Sequence, residues 1–443
     1  MTPLAALLLL ALPGEPAAPP PPGASAGAVG GMPAAASLSL EEALRLLDRQ
    51  NLTLAEARAR ASAALGVVRE VEAPLLPSLG VTAGYTRNND QAVVAFPPLA
   101  GFPTGSITIQ PLDAWAVGGS LRVPLIVPEA WFALGASRDA ALAAAASAEA
   151  TLLTLRETLV RTGWVAWAGE EIVAASGRAL DAAREQAESA RRQLQVGTGT
   201  SLSVLQAETA ATRRESDLVA ARSETARARL AVGVLLGRSD PVRIAMPPSN
   251  PPPALDSAAL AEEALDRRPE VRAQGALLSS REKEVRAADF SFAPEISASA
   301  SAFAQTAPYP TGEKSGWRAT LDLSWTLYDG GYRYGLSRKA RAEAAEARAA
   351  EARTRLEVAQ EVSNAARDVG VARERLLLAT RERATAAEAA ASARRGFREG
   401  ITSSLDVLSA NQVLFEAEVQ LADSSARLGG ALAALDRAVG RSP

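Results

Sequence analysis

The sequence predicts a mainly α-helical chain that carries a small transmembrane β portion. Three observations lead there. Residues 189–208 (SARRQLQVGTGTSLSVLQAE) recur without a gap as residues 392–411 (SARRGFREGITSSLDVLSAN), 203 positions on, and the same offset carries Gly237-Arg238 onto Gly440-Arg441. Each copy sets a Gly-containing turn between two long Ala/Arg/Glu-rich stretches, so the chain reads as an internal two-fold repeat of helical hairpins. Four short segments, two in each half, switch to period-two alternation, the pattern of strands with one apolar face.

Composition narrows the function classes. Of 443 residues, 48% are hydrophobic but only 4% aromatic. Much of the apolar share is Ala, which packs helices closely but builds no large globular core. The net charge of −3 gives no basic footprint for nucleic acid. His and Cys are both absent, which removes thiol chemistry, disulfides, His-based catalysis and the usual zinc sites. No cofactor or metal ligand set is read in the chain.

The elements follow in order. Residues 1–36 hold an apolar run from Leu4 to Leu12, too short for a membrane-spanning helix, which needs about 20 residues. That run suits a signal-peptide core, and the Pro/Ala/Gly stretch after it reads as a flexible lead-in. The first repeat is taken as residues 37–238, the connector as 239–254 and the second repeat as 255–443. Ser39 with Glu42 is a capping box that starts a helix running to about Glu72, ended by Pro74 and Pro77. Leu79, Val81, Ala83 and Tyr85 alternate with small and polar residues as a first strand. A loop rich in Pro, Gly and Asn covers residues 88–114. A second strand runs from Val117 to Leu125, with Pro124 near its end because Pro interrupts a ladder.

Pro128 to Gln195 is one helical run of roughly 100 Å at 1.5 Å per residue. The turn Val196-Gly197-Thr198-Gly199-Thr200 breaks it, and a shorter helix returns from Ser201 to Leu236. The second half has the same order. A helix covers Asp256 to Ala288, bent or broken at Pro269. Strands follow around Ile296–Ala302 and Ala319–Leu327, with a short loop at 305–316. After Asp329-Gly330-Gly331 a long helix reaches Phe397, and a last helix spans Ser403–Val439. Each half therefore has one long helix and two of about half its length. Stacked end to end, the short pair matches the long one and gives a cylinder wall of antiparallel helices. Pairs such as Glu188/Arg192 and Glu351/Arg355 read as solvated i,i+4 contacts.

The strands carry the membrane argument. Four strands cannot close a barrel, and an open sheet edge is prohibitively costly in lipid, so several identical chains must share one barrel. Segments of about ten residues with one apolar and one small or polar face fit outer-membrane strands. Tyr85, Trp115, Trp317 and Tyr328 fall at strand ends, where an aromatic girdle belongs. The competing reading is a soluble four-stranded sheet packed on helices. It leaves the small inner face and the long helices unexplained.

On these residues the chain resembles the TolC-like outer-membrane factor (outer membrane efflux protein) family, over about residues 37–441. The motifs are Val196-Gly197 followed by Ser201-Leu202-Ser203-Val204-Leu205, then Gly400-Ile401-Thr402-Ser403-Ser404-Leu405-Asp406-Val407-Leu408, and the strand-to-helix segment Leu327-Tyr328-Asp329-Gly330-Gly331. The first half departs at that last segment, with Ile126-Val127-Pro128-Glu129.

The resemblance implies a homotrimer, with a 12-stranded barrel in outer-membrane lipid, four strands per chain, continued by a 12-helix periplasmic tunnel. It implies a cell outer membrane location and passive conduction. A periplasmic membrane-fusion adaptor would link the tunnel to an inner-membrane pump of RND, ABC or MFS type. Gly197, Thr198, Gly199, Gly400, Ile401 and Thr402 align with hairpin tips that contact the adaptor; the other reading makes the glycines turn formers only.

Asp406 aligns with an acidic position that rings the periplasmic aperture, where three copies would bind cations. An Asp near a helix start is equally a good N-terminal residue. One turn later, where a second acid can stand, the chain has Ser409, and the first-half equivalent of Asp406 is Ser203. Thr402 takes the place of a basic residue that can lock the tip.

Three functions compete. An export channel predicts heat-resistant trimers in the outer-membrane fraction. A periplasmic coiled-coil adaptor or scaffold explains the hairpins but not the strands. An enzyme would need paired carboxylates or Ser/Lys in a pocket, and no such local constellation is read. The cargo is not written in the chain, because pumps and adaptors do the choosing. The lack of His and Cys, with three Met, argues against a dedicated soft-metal path.

Overall fold

The computed structural model describes residues 37–95, 106–247, 255–306 and 313–442. The signal-peptide expectation for 1–36 lies outside the described residues, as do parts of the 88–114 and 305–316 loops and of the 239–254 connector.

Strand β1 (Leu38–Ser39) leads into helices α1 (Leu40–Gln50) and α2 (Leu52–Glu72), and a 3₁₀ turn (Ala73–Leu75) follows. Strands β2 (Ser78–Arg87), β3 (Ala92–Ala95), β4 (Ser106–Gln110) and β5 (Asp113–Ile126) come next. Helices α3 (Pro128–Gln195) and α4 (Ser201–Leu235) form the first hairpin, and strand β6 (Ile244–Ala245) lies in the connector. The second half is α5 (Ser257–Arg267), α6 (Pro269–Phe290), β7 (Glu295–Gln305), β8 (Ser315–Ser324), α7 (Tyr332–Arg398) and α8 (Ser404–Val439).

The long helices end where the sequence reading placed them, within about two residues. At 68 and 67 residues, α3 and α7 each span about 100 Å. Pro128 opens α3 at a position whose missing N–H costs nothing. The capping box at Ser39 and Glu42 is formed, with both reciprocal bonds present.

Four expectations are corrected. The first helix breaks at Asn51, whose side chain accepts from Leu54 N (2.8 Å) while its amide donates to Leu235 O (2.8 Å). The 88–114 loop contains the β3–β4 hairpin. The connector contributes β6, which pairs in parallel with β1. Glu188 meets Arg191 (2.9 Å) rather than Arg192, whereas Glu351 does meet Arg355 (2.8 Å).

The helices form a layer. α3 packs against α2 and α4 on one side and α6 and α8 on the other, and α7 packs against α6 and α8 from beyond them. Short helices occupy successive lengths of each long one. Arg272 of α6 pairs with Glu149 of α3, whereas Arg178 of α3 pairs with Glu418 of α8 (3.0 Å) farther along.

The core lies where the short helices hand over. Leu47, Leu159, Val232 and Leu236 are fully buried in one cluster, and Val362 and Leu428 in another. Trp164 of α3 fills a slot over Gly429 of α8, where a Cβ would come within 2.1 Å of its ring. Beside the second cluster, buried Arg268 bridges Glu270 (2.9 Å) and Glu361. Burial drives the Glu270 pKa up, but the Arg268 hydrogen bond and charge outweigh it and hold the carboxyl below its usual value.

Strands β2, β5, β7 and β8 form one antiparallel sheet in that order. β2 and β8 are its edges. Among the described residues, no helix is long and apolar enough to cross a membrane.

Candidate functional site

The sheet's register sorts its residues onto two faces. Leu79 of β2 opposes Leu121 of β5, which opposes Ala300 of β7, which opposes Ala319 of β8. Two residues along, Val81, Gly119, Ala302 and Trp317 form the next row. Val123, Ala298 and Leu321 form another. One face is therefore apolar across the four strands, and its large residues are bare: Leu79 is 78% exposed, Leu321 72% and Trp317 80%. The rows of the other face carry Thr82, Ser120, Arg122, Ser297, Ser299, Ser301, Thr320 and Asp322, with Phe303 lying over Gly316. An apolar face of this extent, left uncovered, marks a surface meant for lipid or protein.

The four aromatics singled out above divide between the two ends of the sheet. Tyr85 opposes Trp115, and its hydroxyl donates to Asp113 (2.6 Å). Trp317 lies toward the same loop end but in the Val81 row, four residues along the strand from Tyr85. Tyr328 lies beyond the other end, in the segment that also carries Trp325, Tyr332 and Tyr334, all exposed. β8 stops at Ser324, short of the expected Leu327, and the next residue, Trp325, donates its indole N–H to Phe292 O (3.0 Å) instead of continuing the ladder.

The strand-to-helix junction is a built turn. Gly330 and Gly331 take φ of +72° and +91°, which admits few other residues. The Asp329 carboxylate accepts from Gly331 N (3.1 Å), Arg333 N (3.1 Å) and Arg333 Nε (2.7 Å). The Arg333 guanidinium stacks 4.7 Å from the centre of the Phe292 ring.

The two hairpin tips share one geometry. Gly197 has φ +79° and Gly400 φ +78°. In the first tip, Thr198 N and Gly199 N both donate to Gln193 O (3.0 Å each). In the second, Ile401 N (2.8 Å) and Thr402 N (3.3 Å) both donate to Gly396 O. These bonds satisfy the last carbonyls of α3 and α7, as a glycine-ended helix does. Thr402 stays local, its hydroxyl donating to Ala393 O (2.9 Å).

Each tip then caps the next helix. Thr200 accepts from Ser203 N (3.2 Å). Ser403 accepts from Asp406 N (3.2 Å), and Asp406 Oδ2 accepts from Ser403 N (2.9 Å) and Oγ (2.7 Å). Those hydrogen bonds hold the exposed Asp406 carboxyl below the usual aspartate range. Ser203 and Asp406 thus occupy the same third position of α4 and α8. Ser409 instead lines a groove of about 830 Å³ between α4 and α8, together with Leu202, Leu205, Leu405 and Leu408.

Residues that tie the hairpins together were not visible in the sequence. Gln186 Nε2 donates to Ser404 Oγ (2.9 Å), and Arg214 Nη2 donates to Gln412 Oε1 (2.9 Å). The same guanidinium lies 4.6 Å from the centre of the Phe415 ring. Their partners are about 200 residues away, and no local pattern announces them.

The sequence profile of outer membrane efflux proteins matches residues 43–238 and 260–441, nearly all of both halves. The chain belongs to the outer membrane efflux protein family. Membership places it in the outer membrane, in a family and fold of channel proteins, with a long helical part. It is 33% identical over 201 residues to Protein CyaE of Bordetella pertussis, a match covering 44% of this chain and 42% of that protein. Among solved structures it is similar to the outer-membrane channel OprN, with TM-score 0.76 and 22% identity over 90% of this chain and 89% of that one. It is similar also to the outer membrane protein VceC of Vibrio cholerae, with TM-score 0.75 and 19% identity over 91% and 96% of the two chains. This efflux-family fold is carried by helix lengths and strand order rather than by close identity.

Proposed function

We propose that three copies of this chain join into one outer-membrane export duct. The observation that carries the reading is the four-stranded sheet, with one apolar face, closed at its loop end by the Arg87–Asp113 pair, and two open edges. Joining the β2 edge of each copy to the β8 edge of the next gives a closed barrel of twelve strands. Closure satisfies the edge hydrogen bonds that lipid cannot. The apolar face then meets lipid and the polar face lines water. Tyr85, Trp115 and Trp317 form one interfacial girdle, and Tyr328 belongs to the other.

The helix layer closes in the same way. Its margins carry bare apolar side chains: Val219 and Val234 on α4, Leu356 and Leu378 on α7. A groove of about 650 Å³ beside α2, lined by Leu54, Leu65, Leu142 and Leu152, accepts a neighbouring copy's marginal helix. The two halves, 37–238 and 255–443, each supply two strands and one hairpin, so the entrance has near-sixfold character. At the entrance, the tips Gly197–Gly199 and Gly400–Thr402 face a periplasmic adaptor, and an inner-membrane pump supplies the energy. Three copies of Asp406, flanked by Ser203 and Ser409, form a small anionic ring there. Its capping box fixes the carboxylate at the helix start and keeps it ionised.

Fractionation tests the reading. Heat-resistant trimers in the outer membrane, conducting ions in a planar bilayer, are expected; a soluble periplasmic monomer would sink it. A coiled-coil scaffold is the weaker alternative, since it has no use for a bare apolar β face.

A further inference from the structure

We infer that Arg122 and Arg318 make an anion-favouring zone inside the barrel section, set apart from an acidic zone at its helix end. The inference rests on the duct reading above, which turns the sheet's polar face to the lumen.

The register supplies the placement. Arg122 of β5 opposes Ser299 of β7, and Arg318 of β8 opposes Ser301, one row farther from the helices. Both side chains are exposed, on the face that also carries the Ser299, Ser301 and Thr320 hydroxyls. Among the described residues, neither guanidinium has a hydrogen-bond or ion-pair partner. Arg87 and Arg333, at the two ends of the sheet, are in contrast each held by an aspartate, at 2.9 Å and 2.7 Å.

The acids lie on the other side of this level. Asp322 opposes Ser297, one row nearer the helices, and its Oδ2 accepts from Thr320 Oγ1 (3.1 Å) and Ser299 Oγ (3.3 Å). Glu295 opens β7 one row farther down. Burial, and then the charge of Glu295, raise the carboxyl of Glu129 at the start of α3, which puts Glu129 in the same acidic zone.

Net charge over these rows is small, so separation decides the effect. Asp322 stands two rows, about 13 Å along the strand, from the level of Arg318, and Glu295 three rows, about 20 Å; Arg122 alone has an acid, Asp322, in the next row. The Debye length is about 8 Å at physiological ionic strength. A solute at the Arg318 level therefore responds mainly to arginine. Three copies place six guanidiniums over these two rows, none held in an ion pair among the described residues, with the Asp322 carboxylates nearest to Arg122. Rings of Arg or Lys favour anions in pores, and low-dielectric walls strengthen their field. The planar guanidinium adds bidentate recognition of carboxylates and phosphates. Anionic solutes are the class this zone admits most readily.

Planar-bilayer recordings on the purified full-length trimer test the zone. In a KCl gradient, the R122Q/R318Q variant should lower the chloride-to-potassium permeability ratio about threefold near 0.1 M, and far less at 1 M, where the Debye length is about 3 Å. Asp322→Asn should raise the ratio, and R122K/R318K should leave it at the wild-type value. An unchanged ratio in R122Q/R318Q overturns the inference. Should that variant fail to assemble, citrate block of the wild-type channel decides. Citrate added at the barrel side should reduce the current, and citrate at the tip side should not; equal responses overturn the inference. A wild-type protein that forms no channel removes the duct reading itself, a failure told apart by the absence of any conductance.

Discussion

Leu321→Arg separates a face turned to lipid from a face turned to water. Leu321 lies four residues from Trp317 in β8 and four from Trp325 just past its end, about 13 Å of extended chain either way. If those two aromatics mark the membrane interfaces, Leu321 is at the bilayer midplane. In one chain it is 72% exposed, with Ala298 of β7 as its pairing partner. An arginine on the lipid face of an outer-membrane barrel costs about 2–4 kcal/mol at the midplane. The same change at a site bathed by water alters stability by no more than about 0.5 kcal/mol.

The control is Thr82→Arg, on the opposite face, which the barrel reading turns to the lumen; there the change should cost about 0.5 kcal/mol or less. Urea unfolding from phosphatidylcholine vesicles, followed by tryptophan fluorescence, reads both variants. A large loss for Leu321→Arg with little change for Thr82→Arg is expected. Equal effects of the two variants, or a larger loss for Thr82→Arg, would refute the assignment of faces.

Two further changes probe the helical part. Gly429→Ala puts a methyl group against the Trp164 ring, which is buried and edge-on to Trp167 at 5.3 Å. Overpacking of this kind costs about 1–3 kcal/mol, and a thermal midpoint within error of wild type would contradict the packing described. Protonation of Asp406 should loosen the start of α8. Hydrogen bonds from Ser403 lower its folded pKa, so its contribution is complete above the ordinary aspartate value of about 3.9 and is lost as pH falls through the lower folded value. Hydrogen exchange of residues 403–408, corrected for intrinsic rate, should show protection falling only in that acid range. Ser403→Ala should show the loosened behaviour at neutral pH, and a pH-independent profile in the wild type would argue against the capping role.

The long helices were legible because nothing interrupts them. α3 runs from Pro128 to Gln195 without an internal Pro, and a positive-φ glycine ends each hairpin arm. The strand faces were legible because alternation in one strand fixes which residues share a side. The break at Asn51 carried a signal of its own, since Asn is a strong N-cap, but a helical pattern on both sides masked it. β1 and β6 are two residues each, too short for any periodicity.

The order β2-β5-β7-β8 depends on pairing between halves, which no local pattern encodes. At the tips, the glycines and caps could be read from spacing. The Gln186–Ser404 and Arg214–Gln412 bonds could not, because they depend on how one hairpin lies against the other.

Disulfide scanning across the sheet edges tests the shared barrel most directly. The chain has no cysteine, so each introduced pair reports cleanly. Within one chain, β2 and β8 are separated by β5 and β7, about 14 Å at three strand spacings. Disulfides need Cα atoms within about 7 Å, so a bond between these edges must join two copies. Val81→Cys combined in turn with Ala319→Cys, Leu321→Cys and Leu323→Cys samples the register. Closure by three copies requires that at least one pairing give an oxidised ladder ending at the trimer. No cross-link at any register, or a ladder running past three copies, would contradict it.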